Sequence, residues 1–144
     1  MKTYGGFYIS RIHQLSGRVF ERILKESGVD SFNGAQGRIL YVLWEHDRLL
    51  ISEIGKYTSL AKTTLTGMLD RMEEAGLVER MPDADDRRQT FVAITEKAKK
   101  CREIYDRVSG SMNAIFYNGF EADEIKQFEK TLERIIRNLE AQMK

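Results

Sequence analysis

The stretch LTGMLDRMEEAGLVERMPDADDRRQTFVAIT, residues 65 to 95, carries the pattern that decides the fold. It opens with apolar residues at helical spacing, and Gly76 stands where a glycine commonly ends a helix. Two short runs rich in strand-forming residues follow, over residues 77–81 and 90–94. Pro82 closes the first run because proline has no N–H to donate to a β-ladder. The stretch therefore predicts a helix followed at once by a two-stranded hairpin with a charged loop.

The rest of the chain is predicted to be helical, apart from residues 45–50, EHDRLL, which indicate a polar turn. Apolar spacing predicts helices over residues 7–26, over a segment that Asn33 can cap, and over residues 52–58, 61–75, 96–117 and 121–142. The last helix carries a coiled-coil-like seam that alternates by three and four, namely Ile125, Phe128, Leu132, Ile135, Leu139 and Met143. The predicted fold class is mainly α with a small β-hairpin wing: a winged helix-turn-helix domain with additional N- and C-terminal helices.

Composition and charge narrow the class of protein. The 144 residues are 42% hydrophobic and 31% charged, which is typical of one globular domain. No apolar run reaches the ~20 residues of a membrane span, no signal-peptide pattern opens the sequence, and one cysteine forms no internal disulfide. We therefore expect a cytoplasmic protein with no membrane partner. The net charge of +1 means that nucleic acid would have to be bound by individually placed cations.

The order helix, short helix, helix, hairpin predicts contact with double-stranded DNA. A helix fits the major groove and reads base edges, and a neighbouring hairpin can place arginines in the electronegative minor groove. We expect Asp86 to pair with a nearby arginine, which orients the loop and leaves another arginine for the groove. The residues expected to contact DNA lie on the outer face of helix 61–75 and in the loop: Lys62, Thr63, Thr64, Thr66, Gly67, Arg71, Arg87 and Arg88.

The quoted stretch resembles the signature region of the MarR family of transcriptional regulators, the multiple-antibiotic-resistance type. Its D-x-R at Asp86 to Arg88 is similar to the family's wing motif, and FNGAQGRIL resembles the opening of the family's second helix. The resemblance implies a homodimer on a pseudo-palindromic operator, acting as a repressor that a small-molecule or redox input releases. It implies one domain over residues 1–144, with a DNA-binding lobe at 32–95 and a dimerisation region formed by 1–28 and 96–144.

Three positions depart from the family's pattern. Ala61 stands where a serine often caps the recognition helix, so that cap is expected to be weaker. Gly67 occupies a position often held by arginine, and Ala98 replaces a common glycine. Gly67 bears on base preference, and none of the three departures changes the fold prediction.

An effector site is implied by the same resemblance, because family members receive aromatic, often anionic compounds beside the dimer helices. The candidate pocket residues are Tyr8, Arg11, His13, Tyr41 and Trp44, with Arg38 as a further source of a cation. The alternative is that these aromatic rings simply fill the core.

Other chemistry has little support in the sequence. We expect no enzyme, metal or cofactor, since no nucleophile–base pair, metal-ligand spacing or glycine-rich phosphate loop occurs. Two histidines, His13 and His46, are few for a zinc site, and Cys101 lies on an apolar stripe, which predicts a buried thiol. The alternative function is a winged-helix module that contacts only protein, without sequence-specific DNA binding.

Overall fold

The computed structural model describes residues 1–143, and the predicted fold class is confirmed. The elements are α1 (Gly5–Glu26), α2 (Gly34–Trp44), β1 (Arg48–Leu50), α3 (Ile51–Thr58), α4 (Lys62–Glu74), β2 (Val78–Pro82), β3 (Thr90–Ile94), α5 (Glu96–Lys99), α6 (Arg102–Phe116) and α7 (Ala122–Glu140), with a closing 3₁₀ turn at Ala141–Met143. The chain divides into two compact units, Met1–Met112 and a second that begins at Asn113. No helix among the described residues is both long and apolar enough to cross a membrane.

Two helix ends follow directly from the sequence. The Asn33 side chain accepts from the Gln36 N–H at 2.8 Å, and the Gln36 side chain accepts from the Asn33 N–H at 3.1 Å. This reciprocal capping box starts α2 where it was predicted. Gly76 ends α4 with a φ of 77°, and the Leu77 N–H then donates to the Met72 carbonyl at 2.9 Å. Both predicted helix boundaries are confirmed.

The sheet has three strands rather than the predicted two. β1 pairs antiparallel with β3, and β3 pairs antiparallel with β2, giving the order β1-β3-β2. The prediction of a polar turn over residues 45–50 was therefore wrong at Arg48–Leu50. Leu49 is buried opposite Val92, and this burial holds the short strand in place. Three residues are too few for an alternating pattern to be read from the sequence.

The predicted helix over residues 96–117 is interrupted. α5 ends at Lys99 and α6 starts at Arg102, with a tight turn in which the Cys101 N–H donates to the Ala98 carbonyl at 3.0 Å. The same carbonyl accepts from Trp44 Nε1 at 3.1 Å, which ties the interruption to the core. Cys101 is half-buried rather than fully buried as predicted, and packs against the edge of the core.

Tyr105 on α6 is the centre of an aromatic cluster in the first unit. Its ring lies 5.2 Å from Trp44, with further rings from Phe20, Phe32 and Tyr41 between 5.9 and 6.3 Å. Gly37 makes this packing possible, because a Cβ there would lie 2.6 Å from the Tyr105 ring. Such an overlap would force the ring out of place.

The second unit is built around the turn before α7. Rings of Phe116, Tyr117, Phe120 and Phe128 meet edge to face, and the Tyr117 hydroxyl donates to Glu129 at 2.7 Å. Burial, with the nearby Glu129 carboxylate, raises the pKa of Tyr117 to about 12. α7 has no buried side chain. Its predicted seam is thus partly or wholly exposed in the protomer, with Leu139 64% exposed.

Candidate nucleic-acid interface

α4 has a buried apolar face and an exposed polar face. Its buried residues, Leu65, Met68, Leu69 and Met72, pack into the core of the first unit. Lys62, Thr63 and Thr64 are exposed at its N-terminal turn, where a helix presents side chains to base edges. Ala61 gives this turn no side-chain cap, as its apolar side chain predicted. Within residues 1–143, the first backbone N–H groups of α4 therefore receive no hydrogen bond from an N-cap side chain.

The remaining predicted residues of α4 form a connected surface. Thr66 and Gly67 are partly exposed and Arg71 is exposed. A Cβ at Gly67 would lie 3.8 Å from Arg71 Nη1, so the Arg71 side chain extends back over the glycine. The arginine thereby places its guanidinium beside the position where Gly67 itself offers no side chain.

The hairpin loop is ordered by the Asp86 carboxylate. Asp86 Oδ1 accepts from the Arg88 N–H at 3.0 Å and from Arg88 Nε at 3.1 Å, while Oδ2 accepts from Arg88 Nη2 at 3.1 Å. Hydrogen bonds from the Arg88 side chain, and then from its backbone, lower the pKa of Asp86. The Gln89 N–H donates to the Asp86 carbonyl and the Asp83 N–H to the Gln89 carbonyl, which closes the loop.

The two wing arginines have different roles in this loop. Arg88 is held by Asp86, although its side chain is 89% exposed. Arg87 is also exposed and, within residues 1–143, takes part in no ion pair. Arg87 is therefore the wing arginine whose full charge is available to a partner.

A cleft joins the wing to α4. Its volume is about 520 Å³, and its walls include Lys62 and Thr66 from α4 and Arg88 from the wing. α3 contributes Ser52 and Gly55 to the same cleft. The fold thus brings two separately predicted sets of residues to one concave surface.

A second cavity lies in the region predicted to receive an effector. It encloses about 580 Å³ and is lined by His13, Arg38, Tyr41, Tyr57 and Tyr105, among others. Burial raises the pKa of Tyr105, while a hydrogen bond with the Ser109 side chain and then the positive charge of Arg38 oppose that effect. The cavity therefore combines three phenol rings with two side chains that can carry positive charge.

The predicted effector residues do not all meet in this cavity. His13 and Tyr41 line it, whereas the described structure places Tyr8 and Arg11 outside its walls. Tyr8 and Arg11 are exposed on the N-terminal half of α1. Trp44 is buried in the core with its Nε1 bonded to Ala98, so it lies behind Tyr105 and does not line the cavity. Tyr57 and Tyr105 were missed because neither lies on a stripe that pointed to a pocket.

This arrangement defines a winged helix-turn-helix protein, and comparison with known proteins agrees. The MarR family model matches residues 32–90. The chain is 30% identical over 100 residues to the organic hydroperoxide resistance transcriptional regulator of Bacillus subtilis, covering 69% of this chain and 67% of that protein. It is 29% identical over 134 residues to the HTH-type transcriptional repressor IacR of Pseudomonas putida, covering 93% and 78% respectively.

A solved structure shows the same fold. A mutant of MarR from E. coli with one cysteine replaced by serine, complexed with operator DNA, superposes with a TM-score of 0.80 at 23% identity, over 94% of this chain and 99% of that one. The chain belongs to the MarR family of transcriptional regulators.

Proposed function

We propose that this protein regulates transcription, as a repressor, by binding an operator in duplex DNA with α4 in a major groove and the wing in the adjacent minor groove. The observation that carries the proposal is the single cleft that unites Lys62 and Thr66 of α4 with Arg88 of the wing. Relatives named as a transcriptional repressor and a transcriptional regulator support it.

The two parts of this surface have different chemistry toward DNA. Thr63, Thr64 and Thr66 carry hydroxyl and methyl groups that suit base edges, including the thymine methyl. Lys62 and Arg71 flank them and can contact phosphate or guanine. Arg87, which takes part in no ion pair within residues 1–143, adds a cation for the minor groove, while Asp86 and Arg88 fix the loop that carries it.

We further propose a homodimer. α1 and α7 each carry exposed apolar side chains that a second copy would cover: Phe7, Ile12 and Leu15 on α1, and Ile135, Ile136 and Leu139 on α7. Large exposed apolar patches of this kind mark interaction surfaces. A twofold dimer would present two α4 helices, and a pseudo-palindromic operator has the matching symmetry.

An effector that releases the DNA is also part of the proposal. The cavity lined by His13, Arg38 and three tyrosines suits a small aromatic anion, which would meet the Arg38 guanidinium and the phenol rings together. Arg38, Tyr41 and Tyr57 of the cavity wall lie within residues 32–95, so a ligand there would contact the DNA-binding lobe directly.

The proposal is tested by the salt dependence of DNA binding by the full-length protein. Lys62, Arg71 and Arg87 supply three cations per protomer and so six per dimer. Displacement of counterions by six such cations predicts a loss of about 10³ in affinity between ~50 and ~200 mM salt. Fluorescence anisotropy on a labelled duplex measures this loss. Failure to bind any duplex would instead favour the protein-contact module.

A further inference from the structure

Arg80, on β2 at the base of the wing, connects the wing to the outer face of α4. Its Nη2 lies 2.7 Å from Asp70 Oδ1 and 2.9 Å from Glu73 Oε1, and both acids belong to α4. The Arg80 backbone N–H also donates to Glu73 Oε2 at 3.2 Å. The Glu73 carboxylate therefore binds both the backbone and the side chain of Arg80.

The Arg80 guanidinium and the Glu73 carboxylate stabilise each other's charged forms. The hydrogen bond from the Arg80 side chain, and then that from its backbone, lowers the pKa of Glu73, while the bond to Glu73 raises the pKa of Arg80. One guanidinium facing two carboxylates leaves the cluster with a charge of −1. Arg80, whose side chain is 26% exposed, is thus a poor candidate for a direct phosphate contact.

We propose that Arg80 is a positioning residue for DNA recognition, holding the wing at a fixed angle to α4 through Asp70 and Glu73. This inference rests on the proposed function. Arg87 and Arg88 lie seven and eight residues beyond Arg80, at the far end of a hairpin two strands wide. A small rotation at the base displaces the loop by more than it displaces the base. Fixing the base therefore lets the wing and the helix contact neighbouring grooves together, without a further ordering cost.

Removing Asp70 and Glu73 distinguishes an electrostatic role from a positioning role, because the two roles predict opposite changes in DNA affinity. The double variant Asp70→Ala with Glu73→Ala deletes two negative charges from the DNA-facing helix, and electrostatics alone predicts tighter binding. If Arg80 acts by positioning, the same variant frees the wing and weakens binding, although the protein has become more positive. Alanine favours the helix, so α4 is retained.

The matched control is Glu74→Ala with Glu79→Ala. It makes the same charge change next to the same helix and strand, and neither acid takes part in an ion pair within the described residues. The probe is the duplex that the wild-type protein enriches from a randomised pool, with a scrambled duplex as reference. Circular dichroism at the binding temperature shows that each variant is folded.

We expect the Asp70, Glu73 variant to bind the enriched duplex at least about fivefold more weakly than wild type, and the control to bind equally or more tightly. Arg87→Ala should then cost less affinity in the Asp70, Glu73 variant than in wild type, because a loose wing has already lost that contact. A purely structural role would lower the thermal stability and leave the Arg87 effect unchanged. Arg80→Met should behave as the double variant does.

Equal or tighter binding by the Asp70, Glu73 variant would overturn the positioning role while leaving the proposed function intact. An undiminished Arg87 effect in that variant would overturn it as well. If the wild-type protein enriches no duplex, the proposed function itself fails and the inference falls with it.

Discussion

Leu132→Asp is expected to convert the protein to a monomer and to reduce operator affinity by at least about 1000-fold. Leu132 is the central member of the α7 seam and is only half-exposed in the protomer. In a homodimer that buries the seam, an aspartate there would be a charge without a partner, which costs several kcal/mol. Each protomer would then bind one half-site alone, and affinity should fall toward the non-specific level, ~10³ or more below specific binding.

Sedimentation velocity and operator titration measure the two effects separately. Lys130→Asp is the control, since Lys130 is exposed on the opposite side of α7 by helical spacing. Leu139→Asp is a second test, because a side chain 64% exposed in the protomer tolerates a charge unless a partner covers it. If Leu132→Asp and Leu139→Asp both remain stable dimers, the seam is not the interface.

An aromatic anion bound in the tyrosine-lined cavity is expected to weaken operator binding by about 5- to 150-fold at saturation, the usual range of coupling between two sites. The ligand can release DNA only if it binds the DNA-incompetent arrangement more tightly than the competent one. Two recognition helices must stand about one DNA turn apart, roughly 34 Å, to read successive major grooves. A ring beside Tyr105 would change that spacing through α6.

Trp44 provides the readout for this coupling. Its ring lies 5.2 Å from Tyr105, which lines the cavity, so ligand binding should change its fluorescence. A panel of aromatic carboxylates and phenols, with salicylate among them, is titrated while operator release is followed. Arg38→Ala should reduce the affinity of an active compound. Arg11→Ala is the control, because Arg11 does not line the cavity. This cavity is ruled out as the effector site if no compound in the panel produces both signals. It is also ruled out if Arg38→Ala leaves the affinity of an active compound unchanged.

Local signals in the sequence were sufficient for most of the fold. Asn33 and Gly76 set helix ends through bonds that involve only neighbouring residues, so their types and spacing were enough. The hairpin was recognisable because Pro82 and the aspartates of the loop have strong preferences of their own.

The features that were not predicted depend on contacts between distant parts of the chain. β1 exists because Leu49 is buried opposite Val92, more than forty residues away. The interruption between α5 and α6 coincides with the bond from Trp44 to Ala98. No pattern within a short window encodes either contact.

In the candidate sites too, local patterns were predicted from the sequence and contacts between distant elements were not. The outer face of α4 was read from helical periodicity alone, whereas the cavity needed α1, α2, α3 and α6 to be placed before its walls were known. Arg80 was missed because its acids lie seven and ten residues before it, on another element. An arginine on an edge strand that follows two acids spaced by three on a helix is a usable signal for such a link.

The central claim is that a dimer reads DNA with α4 and anchors itself with the wing. Selection of duplexes from a randomised pool by the full-length protein, repeated with Thr66→Ala and with Arg87→Ala, tests it most directly. The wild type should enrich an inverted repeat whose half-site centres lie about 10 base pairs apart. Thr66→Ala should change the enriched bases, while Arg87→Ala should keep them and lower affinity about equally for all sequences. The claim would be contradicted by a wild-type protein that enriches no repeat, or by two variants that lose affinity uniformly and keep the same bases.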